Sequence, residues 1–411
     1  MHYVDMRVQT EVDPLLRRLL DEGDRADPYP LYGEIRELAR TGAVRPQGLP
    51  VSVLATFDDC NAMLRHPLAS SDARHAHIRQ RAGSPAPARE PSLLGLDGAP
   101  HARLRGLVQK AFNAKVVNAI SESIQQLIDE LLDSAAEMGT FDLIADCAYP
   151  LPVTVISRIL GVPPGDESMV VDTTKLLNGS PGLAFALTGE APDNTAQVQA
   201  DADMRAYFSE LVASRRHHPG ADLLSALIDA EAAGDRLTDE EIVTMCVILY
   251  LAGHITTVNL IGNAALAMLR QPRHWRELGA DSEYASAVVE ETLRFDPPVQ
   301  MVMRTAAQDM TAGAATLPKG ELVLILLAAA QRDPAVYEDP DTFHPRRSDA
   351  KHLAFGLGPH FCLGAPLARL EARLALSALT ARFPNAHMVA EPTYTSNAAL
   401  RGISTFPLSV R

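Results

Sequence analysis

Cys362 lies in the stretch Phe355-Gly356-Leu357-Gly358-Pro359-His360-Phe361-Cys362-Leu363-Gly364-Ala365-Pro366-Leu367-Ala368-Arg369, which surrounds one thiol with glycines and then opens a helix. A thiolate that binds iron needs close backbone approach and N–H groups aimed at its sulfur, and Gly356, Gly358 and Gly364 permit a tight loop that supplies both. The apolar period Leu363, Leu367, Leu370 predicts a helix directly after the loop, whose positive N-terminal end also favours a thiolate. Zinc is a poorer match, because its sites pair ligands at short spacing and Cys60, Cys147 and Cys246 are scattered singly. The pattern reads as an iron-ligand loop rather than a structural cysteine beside a turn.

A second chemical segment, Ala252-Gly253-His254-Ile255-Thr256-Thr257, lies inside the longest predicted helix. Thr238 followed by Glu241 reads as a capping box, and the helical period then runs unbroken to Pro272, a rod of roughly 50 Å. From Ile242 to Leu269 it carries no Asp, Glu, Lys or Arg. Length alone would make it a membrane span, but His254, Thr256, Thr257, Asn259 and Asn263 suit the central helix of a large soluble core. Gly253 weakens the ladder there and Thr256 can bond a carbonyl one turn back, so the helix is expected to widen and admit water or dioxygen. Glu291-Thr292-Leu293-Arg294 puts an acid and a base on one helical face.

The cysteine loop resembles the haem-binding signature of the cytochrome P450 superfamily, with Phe355, Gly356, Gly358, His360, Cys362 and Gly364 at the family's fixed positions. The likeness continues in the family's order from Tyr29 to Arg401-Gly402-Ile403. It implies one cytochrome P450 domain over residues 1–411, mainly α with small β-sheets, with haem b between the long helix and the loop, and Cys362 as ligand to the iron. It implies that Ala252 and Gly253 let the helix open beside the iron and that Thr256 passes protons toward oxygen. The family usually places Asp or Glu before that threonine; here the position is Ile255, so protons must come by ordered water, another acid or the substrate. The resemblance also makes Glu291, Arg294 and Arg347 a structural clamp behind Cys362, with Arg347 supplied by Phe343-His344-Pro345-Arg346-Arg347. His101, Arg105, Arg304 and His360 match the family's contacts to the haem propionates, for which His101 and Arg105 are suitably spaced at i, i+4. The substrate pocket would be lined by Leu93, Leu94, Leu183 and its neighbours to Leu187, Leu249, Ala252, Val299, Met301, Met303, Ile403 and Ser404. Those mostly apolar residues suit a hydrophobic organic molecule held by shape.

The expected activity is hydroxylation or epoxidation by a haem-thiolate monooxygenase, in secondary-metabolite or antibiotic biosynthesis. Two alternatives stay open: a haem-thiolate enzyme that uses peroxide or performs oxidative coupling or rearrangement, and a non-catalytic haem protein. With 411 residues, 47% of them hydrophobic and 21% charged, the chain can bury a large core, and no fused flavin or iron–sulfur module has room. Electrons from NAD(P)H are expected through a separate ferredoxin and ferredoxin reductase, steered by Arg103, Lys110, Lys115, Lys351 and Arg373 on the cysteine side. A net charge of −14 argues against nucleic acid, and residues 1–30 lack the apolar core of a leader or membrane anchor, which points to the cytoplasm. Among the irregular segments are 84–91, 178–194 and 332–351, and the basic run 74–81 could face solvent or receive a substrate-bearing carrier protein.

Overall fold

The protein is described from a computed structural model, covering residues 14–20, 25–78, 92–112, 120–167, 169–170, 173, 181–188, 193–232, 235–348 and 351–410. Eleven of its helices matter here: α1 (Tyr29–Leu38), α2 (Phe57–Arg65), α3 (Gly98–Ala111), α4 (Ser121–Met138), α5 (Pro150–Leu160), α6 (Pro181–Thr188), α7 (Thr195–His217), α8 (Asp239–Arg270), α9 (Pro272–Ala280), α10 (Tyr284–Phe295) and α11 (Ala365–Arg382).

The central rod is α8. Its capping box forms, with Thr238 Oγ1 accepting from the Glu241 N–H at 3.2 Å and Glu241 Oε2 accepting from the Thr238 N–H at 2.8 Å. It ends at Arg270 because Pro272 cannot continue it and instead opens α9. Apolar all round, it is wrapped by α5, α7, α9, α10 and α11. Two glycines let neighbours come close. A Cβ on Gly253 would stand 3.1 Å from Ile156 of α5, and one on Gly262 would stand 2.9 Å from Ile144 in the π-helical turn Leu143–Ala148. By length and composition both α8 and the Leu143–Leu160 run could cross a membrane, but most of each is buried in the protein.

The main sheet has four strands, β1 (Val51–Leu54), β2 (Ala69–Ser70), β3 (Val302–Ala306) and β4 (Leu322–Ile325), in the order β1-β4-β3-β2. β1 and β4 are parallel, with Val51 opposite Leu322, and the other pairings are antiparallel. β1 ends at Leu54 because Thr56 caps α2 through the Asp59 N–H and Asp333 takes the Phe57 N–H. α4 buries Ile124, Leu127, Ile128 and Leu132 on one face.

Candidate active site

The cysteine loop connects the segment before Phe355 to α11. Gly356 (φ +66°) and Gly358 (φ +68°) take left-handed backbone that a side chain would strain, and a Cβ on Gly358 would stand 3.1 Å from the Leu64 carbonyl. The turn brings the Cys362 N–H to the Phe355 carbonyl at 2.9 Å, while the sulfur receives the N–H groups of Gly364 and Ala365 at the start of α11. Burial pushes the Cys362 thiol up; those N–H groups, then Arg105 and Arg369, pull it back. The site is therefore built for a sulfur that becomes anionic once a metal compensates its burial.

Beside the loop, basic side chains converge from three parts of the chain. His101 and Arg105 come from α3, Arg304 from β3 and His360 from the loop itself. The His101 and His360 rings lie 4.2 Å apart between centroids, and Arg105 donates to the Phe361 carbonyl at 2.7 Å. His101 Nε2 is buried without a hydrogen-bond partner, and Arg304 Nη1 reaches only the Met303 carbonyl, at 2.8 Å. Burial lowers the pKa of Arg304, and His360 is pushed down to about 4 by burial, Arg304 and His101. Among the described residues one carboxylate answers them: Asp97 accepts from His360 Nε2 at 3.3 Å, and also from Ser70 and the Ser71 N–H. Asp97 was not singled out by motif. The available signal was an acid at the N-cap of α3 four residues before His101, although its side chain caps no helical N–H.

On α8 a stripe of accessible residues interrupts a buried helix. Ile248 and Leu249 are half-buried, Ala252 is exposed, and Ile255 and Thr256 are half-buried, whereas Tyr250, His254 and Thr257 are enclosed. Thr256 Oγ1 donates to the Ala252 carbonyl at 2.9 Å, one turn back, so its hydroxyl proton has a resting partner on the stripe. His254 turns the other way, toward Tyr149 and Tyr250, and its Nδ1 meets the Tyr250 carbonyl at 2.7 Å. No acid stands on this stripe.

Glu291 and Arg294 form a bidentate pair, both bonds 2.8 Å, at 1% and 0% side-chain exposure. Arg294 also donates to the carbonyls of Gln331, Pro340 and Thr342, Glu291 accepts the His344 N–H at 2.8 Å, and Arg347 Nε stands 3.6 Å from Glu291. The irregular segment after Arg332 is thus held by its backbone on one buried ion pair.

The sequence profile of the cytochrome P450 family matches residues 44–395. The chain belongs to the cytochrome P450 family. CYP164A2 of Mycobacterium smegmatis, solved free of ligand, is 49% identical with a TM-score of 0.91, the match covering 97% of this chain and all of that one. The same relative solved with econazole bound is 48% identical. Cytochrome P450 monooxygenase PikC of Streptomyces venezuelae is 38% identical over 94% of this chain and 92% of its own, and vitamin D(3) 25-hydroxylase of Pseudonocardia autotrophica is 37% identical over 93% and 94%. This P450 has the family's fold, and its relatives are monooxygenases, that is, oxidoreductases.

The family implies a haem-thiolate cofactor, and the residues present fit one. An orphaned buried imidazole nitrogen, a half-buried guanidinium with one carbonyl partner, and a sulfur that collects N–H groups together suit an anionic group carrying a metal.

The expected pocket residues differ in burial. Leu183 and Met301 pack with Ala76, Ile78 and Leu187 in a second core under the main sheet, and Ile403 packs against Gly262 of α8. All three are buried. Leu93 is buried, Leu249 and Val299 are half-buried, and Leu94 (57%) and Met303 (39%) are exposed. Arg103 does not serve the cysteine side: it ion-pairs with Asp235 and Glu241, tying α3 to the start of α8. Lys115 lies outside the described residues, as do residues 79–81 of the basic run. The described part of that run is anchored. Arg74 pairs with Asp72 at 2.7 Å, the His77 ring lies on Gly320, and Ala76 and Ile78 are buried.

Proposed function

We propose that Cys362 ligates the iron of haem b, that His101, Arg105, Arg304 and His360 hold its propionates, and that this P450 hydroxylates or epoxidises a hydrophobic small molecule. The observation that carries the reading is the convergence of Arg105, Arg304 and the His101 and His360 imidazoles, with His101 Nε2 unpartnered, beside a sulfur that collects backbone N–H groups. When bound, a thiolate-ligated haem supplies an oxidant able to attack C–H or C=C bonds. The chain's own residues arrange what meets it. Leu249 and Ala252 offer apolar surface that orients a substrate by shape and excludes water. Thr256 Oγ holds a proton donor at the stripe, and Ile255 neither gives nor takes one, so each proton reaches Thr256 through ordered water or a substrate group. We assign electron supply to a ferredoxin and its reductase, drawing on NAD(P)H in the cytoplasm, with Lys110, Lys351 and Arg373 as the remaining steering cations.

A titration of the ferric protein with apolar metabolites tests the reading, each compound offered free and, where it is an acid, attached to a carrier protein. Free compounds should displace water from iron, seen as a low-to-high-spin shift, and turnover with ferredoxin, reductase and NADPH should yield a product one oxygen heavier. A shift seen only with carrier-bound acids would move recognition to the basic segment. Ile255 favours one second reading, in which the enzyme uses peroxide or couples and rearranges its substrate. Turnover supported by peroxide and indifferent to ferredoxin would select it.

A further inference from the structure

Two consecutive glutamates of α10 support two different networks, and motif reasoning accounts for only Glu291. Glu290 points to α11, where Arg369 Nε donates to its Oε1 at 2.6 Å and Nη2 to its Oε2 at 2.9 Å, a parallel fork. His352 Nδ1 accepts the Ala354 N–H at 3.3 Å, which leaves Nε2 to donate to Glu290 Oε2 at 3.0 Å. The guanidinium held in this way lies 4.5 Å from the centroid of the Phe355 ring. Phe355 in turn gives its carbonyl to the Cys362 N–H, and Arg369 is one of the two cations that stabilise the Cys362 thiolate.

We propose that Glu290 is a positioning residue: by holding Arg369 against Phe355, with His352 as its second anchor, it sets the charge and orientation felt by the Cys362 sulfur and thereby the reduction equilibrium of the iron. The proposal rests on Cys362 as the iron ligand. Reduction adds an electron beside the sulfur, so a nearby cation favours the reduced state and a nearby anion opposes it. Burial raises the Glu290 carboxyl, but Arg369 and His352 hold it down to about 2, so it is an anion throughout the working range. Removing Glu290's charge leaves Arg369 uncompensated; removing Arg369 leaves the anion with only the His352 ring as partner. A network with a merely structural role would respond to both changes in the same sense.

The test compares purified wild-type, Glu290→Gln and Arg369→Gln holoenzymes by spectroelectrochemical titration and by the spectrum of the ferrous carbon monoxide complex. At a fixed applied potential the reduced-to-oxidised ratio should rise roughly three- to tenfold in Glu290→Gln and fall by a similar factor in Arg369→Gln, the effect being moderate because both side chains are partly solvated. The carbon monoxide spectrum of Arg369→Gln should gain a neutral-thiol component that Glu290→Gln lacks. Arg369→Lys keeps the charge without the fork and should fall between. Shifts in one common direction, or ratios within about 1.5-fold of wild type in both variants, would overturn the proposal. If Glu290→Gln takes up no haem, Glu290→Ser, which also removes the carboxylate, carries the same expectation opposed to Arg369→Gln. A wild-type spectrum without thiolate character would overturn the ligand reading first, and this inference with it.

Discussion

The cysteine side and the α8 face are built by opposite means. Around Cys362 the chain fixes geometry with charge: Glu291 on Arg294 and Arg347, Glu290 on Arg369 and His352, and Asp97 on His360. On the α8 stripe one hydroxyl is surrounded by aliphatic side chains, and the position expected to hold an acid is Ile255. The contrast teaches where each kind of specificity comes from. Charged networks are directional and intolerant, so they hold a ligand in one place; apolar walls adapt, so they leave the choice of substrate to shape.

The sharpest way to break the comparison is to remove a charge from the cysteine side. Glu291→Ala leaves Arg294 enclosed without its carboxylate, and losing one partner of a buried pair costs about 3–5 kcal/mol. Urea unfolding followed by circular dichroism should show that loss, together with poor haem retention. A loss below about 1 kcal/mol would mean that the carbonyls of Gln331, Pro340 and Thr342 suffice for Arg294.

On the α8 face the corresponding change should spare stability and affect chemistry. Thr256→Val keeps the shape and removes the hydroxyl that donates to Ala252. Product formed per electron consumed should fall about tenfold or more, with the balance appearing as peroxide. Ile255→Glu tests the missing acid directly. If ordered water or substrate now brings protons, a carboxylate there should change coupling several-fold; coupling that stays the same would count against that account.

Gly253→Ala probes the packing behind the α8 face. Its Cβ would meet Ile156 at 3.1 and 3.2 Å, tighter than ordinary contact, so α5 or α8 must shift. We expect a loss of about 1 kcal/mol in stability, offset in part by the better helix propensity of alanine, and a changed spin-shift amplitude with apolar ligands. A variant equal to wild type in both would show that Ile156 simply rotates away.

The two regions also differed in how far they could be read in advance. Cys362, its glycines, the capping box at Thr238 and the Glu291–Arg294 pair were legible because each depends on local spacing: a turn needing positive φ, an i, i+3 contact, a cap. Asp97, Glu290 and His352 were not, since their partners lie 263, 79 and 62 residues away in the chain. The apolar pocket was the least legible. Leu183, Met301 and Ile403 are the residue types a pocket wants, but a core wants the same types, and the burial of all three suits either. Arg103 was misread for a similar reason: its charge was visible, but not the side of α3 on which Asp235 and Glu241 would meet it.

The smallest effect separates the two glutamates of α10. Glu290 is held down to about 2 against an ordinary value of 4.5, so its contribution is complete above about pH 4.5 and is lost as the pH falls toward its folded value. With about a third of its side chain in solvent, screening reduces that contribution to the order of 1 kcal/mol. Glu290→Gln cannot titrate, so between about pH 5 and pH 3 wild type should lose more stability than the variant by that amount, read from urea midpoints on apoprotein. Equal acid slopes would place the Arg369 fork among surface pairs that contribute nothing measurable to folding. Its remaining role would then have to be electrostatic, acting on the Cys362 sulfur alone.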